Sequence, residues 1–97
     1  MKLVISDDAT ADLERLRLFL ADKNPAATQR AIAGLVEAIN SLTAFPDRGR
    51  ESGVPGLRDL IVPFGRSAYV VRFEHDPQRQ EVVIVRIWHG REARPES

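Results

Sequence analysis

The spacing of apolar positions divides the chain into a helical first half and a β-type second half. Leu3-Val4-Ile5 is a short β-type run, read as a first strand, and Ser6-Asp7-Asp8 follows it. A serine with acids behind it suits a helix N-terminus, where unpaired N–H groups and the positive end of the dipole lie together. Ala9, Leu13, Leu16 and Leu20 fall at helical spacing with Phe19 beside the line, which predicts a helix over about 7–22. Lys23-Asn24-Pro25 breaks it. Asn24 can cap a second helix and Pro25 can take its first position, where a missing N–H costs nothing. Ile32, Leu35, Val36, Ile39 and Leu42 form the second stripe, which should end near Ala44, just before Phe45-Pro46. The two helices make an αα-hairpin.

Residues 46–56, PDRGRESGVPG, read as a polar loop. Beyond it the pattern is β-type, with strands expected over 57–62, 67–74 and 82–88. Pro63-Phe64-Gly65 turns the chain between the first two, and 75–80, HDPQRQ, between the last two. The order β-α-α-β-β-β predicts an α+β fold, a helical hairpin on one face of a mainly antiparallel sheet. Alternation places Tyr69, Val71 and Phe73 on one face of the middle strand and Val70, Arg72 and Glu74 on the other. In the last strand it groups Val83, Val85 and Ile87 against Val82, Ile84, Arg86 and Trp88. With uninterrupted apolar sets toward the helices, Arg72, Arg86 and Trp88 should lie on the uncovered face.

The chain has 97 residues, enough for one domain with one core, expected to span 1–97. It has no cysteine, so disulfides and thiolate metal sites are excluded and a reducing, cytoplasmic setting is expected. No stretch reads as a signal peptide or a membrane span, so no membrane partner is expected. Net charge is zero, with 14 basic and 14 acidic residues. A protein that lives on non-specific nucleic-acid affinity is normally far more basic. Residues 48–97 carry nine Arg and no Lys. Arg presents a rigid fork for carboxylates, phosphates and aromatic faces, although GC-rich codon use gives the same bias.

The candidate chemistry lies at the end of the last strand, where VVIVRI gives way to Trp88-His89-Gly90-Arg91. Arg72 and Arg86 either form cross-strand ion pairs, with Glu74 or Glu81, or belong to a working surface. Trp88 covers a sheet edge or stacks on a ligand. The two histidines are not at ligand spacing and no carboxylate cluster joins them, so no metal site and no cofactor is expected. No phosphate-cradling glycine loop or nucleophile motif is present.

In this order the phrases LTAFPDRGRESGVPGLRDLIV, GRSAYVVRFEHD and VVIVRIWHGREARP resemble the RelE/ParE superfamily of type II toxin–antitoxin toxins, over essentially the whole chain. The resemblance implies a small bacterial toxin neutralised by a cognate antitoxin, with which it forms a hetero-oligomer. ParE-like members are poisons of DNA gyrase; RelE-like members are ribosome-dependent endoribonucleases that cut mRNA. For a ribonuclease, Arg58, Arg72, Arg86 and Arg91 would hold phosphate, His89 would act as acid or base, and Trp88 would stack on a base. Zero net charge and the lack of a tyrosine or second histidine after His89 favour the ParE-like branch. A non-toxic interaction module is the third reading. Arg86, Trp88, His89 and Arg91 are then the target-binding candidates. Leu16, Phe19, Leu20, Leu35 and Val36 are the antitoxin-binding candidates, because both helical stripes are wider than one sheet face needs.

Overall fold

A computed structural model describes residues 1–92. Strand β1 (Lys2–Ile5) leads into helices α1 (Asp7–Ala21) and α2 (Pro25–Ser41). Strands β2 (Arg50–Glu51), β3 (Arg58–Phe64), β4 (Ser67–Asp76) and β5 (Glu81–His89) follow. The caps are those the sequence predicts: Ser6 Oγ accepts from the Ala9 N–H, and Asn24 Oδ1 from the Ala27 N–H with Pro25 at the first helical position. α2 stops at Ser41, short of Ala44, and residues 42–44 continue as a turn.

The strands form one sheet in the order β1-β5-β4-β3-β2. β2, a two-residue strand inside the expected polar loop, pairs antiparallel with β3. β3, β4 and β5 are antiparallel neighbours, and β1 pairs parallel with β5 through Leu3–Val82 and Ile5–Ile84. The first and last strands are therefore adjacent. β3 runs on through Pro63, which a strand with one side open to solvent tolerates because the lost N–H need not face a partner.

Both helices cover one face of the sheet. Leu16, Leu35, Ile39 and Leu42 pack against Leu60, Tyr69, Val71, Phe73, Val82, Ile84 and Ile87, all buried. This overturns the expected sorting of the last strand. A bulge between Arg72/Phe73 and the facing strand pairs Phe73 with Ile84 but Arg72 with Arg86, so Val85 is the extra residue. The alternation changes phase there. Val82 and Ile84 face the helices before the bulge and Ile87 faces them after it, while Val83 and Val85 are only partly buried.

β1 is too short to cover all of β5, and α1 closes the uncovered edge with side chains. Ser6 Oγ donates to the Val85 carbonyl (3.0 Å), Asp12 Oδ2 accepts from the Ile87 N–H (2.8 Å), and Arg15 donates to the Ile87 carbonyl (3.3 Å). Among the described residues no helix is long and apolar enough to cross a membrane.

Candidate functional site

The open face of the sheet holds its arginines in ion pairs. Arg72 is 1% exposed and grips Asp59 with two bonds, Nε to Oδ1 at 2.9 Å and Nη2 to Oδ2 at 3.1 Å. The pairing follows from register, since Asp59 faces Arg72 across β3 and β4. The Arg72 guanidinium also lies 4.9 Å from the centre of the Trp88 ring, which is 5% exposed. Arg86 donates from Nε to Asp12 Oδ2 at 2.9 Å and from Nη2 to Oδ1 at 3.2 Å, so its head is held against α1. The expected partners Glu74 and Glu81 are thus replaced by Asp59 and Asp12. Burial raises the Asp12 pKa, but bonds from Arg86, the Ile87 N–H and Arg15 outweigh it and hold the carboxyl below its ordinary value. The Asp12 bond holds Arg86 above its own ordinary value.

Arg58 also has structural partners. It donates to the carbonyls of Asp47, Arg48 and Gly49 and so ties the loop after α2 to β3. Gly49 sits at φ +90°, and a Cβ there would lie 2.6 Å from the Asp59 carbonyl oxygen.

His89 stands apart from these arginines, on the helix side of β5. Its ring meets Tyr69 edge-on at 5.2 Å. Its Nδ1 accepts from the Arg91 N–H at 3.1 Å, which leaves the neutral ring's proton on Nε2. The Gly90 N–H donates to the Ala68 carbonyl at 2.8 Å. Glu92 closes the turn, accepting from the His89 N–H and from Arg15 Nη2 at 2.9 Å. Burial, and then the Glu92 charge, raise the Tyr69 pKa.

Between this turn and α1 lies a cleft of about 530 Å³. Leu16 and Phe19 supply its apolar lining, and Lys23, Ser67, His89 and Arg91 its polar lining, with the Arg15–Glu92 pair at the side. Phe19 is 58% exposed, with Lys23 Nζ 4.5 Å from its ring centre.

The predicted site residues therefore separate. His89 and Arg91 share the cleft, whereas Arg72, Trp88 and Arg86 are engaged in internal packing and pairing on the other side of β5. Of the helical candidates, Leu16 and Leu35 belong to the core, at 1% and 0% exposure, and Leu35 presents no surface to a partner. Leu20 is partly buried against the core, while Phe19 and Val36 are exposed. The sequence reading missed Asp12, Asp59, Arg15 and Glu92. Asp12 carried a signal: it stands three residues after Ala9 and four before Leu16, a charge on the buried stripe. Among the described residues no three His, Asp or Glu side chains are grouped as metal ligands. Arg94 and Pro95 of the C-terminal phrase lie outside the described residues.

Residues 3–94 match the family model described as the ParE toxin of the type II toxin–antitoxin system, parDE. Toxin RelE1 of Caulobacter vibrioides is 40% identical over 92 residues, covering 95% of this chain and 96% of the relative. Toxin RelE3 of the same organism is 36% identical, covering 89% and 90%. A solved structure of the chromosomal ParDE system from P. aeruginosa aligns with TM-score 0.77 at 28% identity, over 92% of this chain and 95% of that one.

Proposed function

The chain belongs to the ParE toxin family of type II toxin–antitoxin systems, and from that premise we propose that it poisons DNA gyrase and cuts no RNA itself. Membership of the ParE/RelE superfamily makes it a type II toxin with a cognate antitoxin as partner. The gyrase reading rests on one observation: the strand arginines already serve internal carboxylates.

RNA cleavage needs a base for the 2′-hydroxyl proton, an acid for the departing 5′-oxygen, and cations at the phosphorus. Arg72 is fully buried against Asp59, and Arg86 is bonded to Asp12. Trp88, packed on Arg72, has little ring surface on which a base could stack. His89 lies on the other side of the sheet from Arg72 and Trp88. The groups a ribonuclease would need do not converge. The exposed C-terminal turn, with His89 and Arg91, is then the part that meets the target. The RelE names of two relatives support a second reading, an mRNA endoribonuclease with His89 as acid or base beside Arg91.

Expression of the chain alone, with supercoiling and mRNA cleavage followed together, separates the two. We expect His89→Ala to leave growth inhibition nearly intact and Arg91→Glu to weaken it about tenfold, the scale of one charged contact. Loss of toxicity in a folded His89→Ala variant, with cut mRNA in the parent and unaffected supercoiling, would reverse the assignment.

A further inference from the structure

The sheet ends in two unlike edges. On one side β2 covers the start of β3, and Pro63 has no N–H to offer along the rest. On the other side β1 is the last strand. The Lys2 N–H donates to the Gln80 carbonyl at 2.8 Å and the Ser6 N–H to the Ile84 carbonyl at 3.0 Å. In a parallel ladder alternate residues turn both main-chain groups to the same side. Lys2, Val4 and Ser6 therefore serve β5, and Leu3 and Ile5 turn their N–H and C=O groups outward. Ile5 is 41% exposed, an apolar side chain beside those outward groups.

This edge is polarised along its length. Lys2 is exposed at its start, and Asp7 and Asp8 stand just past its end, in the first turn of α1. A second β1 laid parallel would set Lys2 on Lys2 and the aspartates on each other. Laid antiparallel, it sets each Lys2 beside the aspartates of the other copy. Self-complementarity of this kind is what a two-fold interface requires. Formal net charge is zero, so no long-range repulsion keeps two copies apart.

We propose that β1 is an interface between two copies of this chain, paired antiparallel about a two-fold axis at Val4. In that register Leu3 lies opposite Ile5 of the second copy, and each pair exchanges two N–H···O bonds, about four in all. Lys2 lies opposite Ser6, within reach of Asp7 and Asp8. The two sheets become one of ten strands. None of the residues used lines the cleft between α1 and the C-terminal turn, so pairing leaves that surface to other partners. Four residues from each copy make a small interface, so the association is weak and concentration-dependent.

Sedimentation equilibrium of the purified full chain, from about 1 µM to 1 mM, covers the range a small interface calls for. We expect a monomer–dimer equilibrium that weakens several-fold when salt is raised to about 1 M, as exposed ion pairs are screened. Ile5→Pro removes an outward N–H and no bond to β5, and should abolish the dimer while circular dichroism stays unchanged. Val36→Ser, exposed on α2, should have no effect. Two charge variants separate pairing from folding. Lys2→Glu, and Asp7→Lys combined with Asp8→Asn, should each weaken the dimer about tenfold on their own. Mixed in equal amounts they should form a heterodimer within about threefold of the parent affinity, because both contacts are again between opposite charges. A monomer at every concentration, a dimer that survives Ile5→Pro, or a mixture that stays as weak as its components would overturn the proposal.

Discussion

Asp12 does the work of several residues from one position on α1. Its carboxylate accepts from Arg86, Arg15 and the Ile87 N–H, and so it joins a helix to the edge of a strand. Asp12→Ala would remove the two bonds that the partly buried Arg86 guanidinium makes to this carboxylate and the acceptor of the Ile87 N–H. The expected cost is about 2–4 kcal/mol in chemical denaturation at neutral pH. Its pH dependence has a definite sign. The folded-state pKa lies below the unfolded one, so the stabilisation is fully present above about pH 4 and is lost as pH falls through the depressed folded value. Asp12→Asn should flatten that acid limb, which denaturation measured from pH 6 down to about pH 3 would show. Gly49 is the backbone counterpart. Gly49→Ala places a methyl group against the Asp59 carbonyl at a positive φ, and should lower stability by about 1–3 kcal/mol in the same assay.

At the scale of elements, the helices were the most legible part. Their caps, proline position and stripes are local features, and Ser6, Asn24 and Pro25 do what their types predict. The strands were legible in existence but not in phase. Every residue from Val82 to Val85 is apolar, so alternation alone did not show which pair faces the helices. The bulge at Val85 that resolves it depends on pairing with β4. Ion pairs were hidden for the same reason: Asp59 meets Arg72 only through the β3–β4 register, and Asp12 meets Arg86 only where β1 ends. The buried Asp59–Arg72 pair yields a prediction at this scale. Asp59→Ala takes the paired carboxylate away from a fully buried cation and should cost about 3–5 kcal/mol. Asp59→Leu combined with Arg72→Met should cost much less, because neither charge is left behind. A double-mutant cycle in denaturant measures both.

At the scale of the whole molecule, charge argues against a polyanion as principal partner. Fourteen basic and fourteen acidic residues cancel, and the arginines at 58, 72 and 86 are committed internally. The full chain should therefore leave a heparin column at low salt, below about 0.2 M, whereas a chain with many free phosphate contacts would be retained beyond it. The site was less legible than the fold at this scale. Residues of the C-terminal turn were named from the sequence, but the cleft they share with α1 exists only once residues 15–23 and 89–92 are brought together. The pairing of β1 with β5 has a further consequence, in time. Lys2 and Glu81 are neighbours in the sheet yet are separated by 79 positions (81 − 2). At ~5–20 residues per second of synthesis, the first strand waits about 4–16 s for its partner to be made. During that interval the apolar stripe of α1, which packs against β5 in the finished fold, has no strand to cover it. Whatever reaches the polysome in those seconds meets apolar surface that the finished molecule hides.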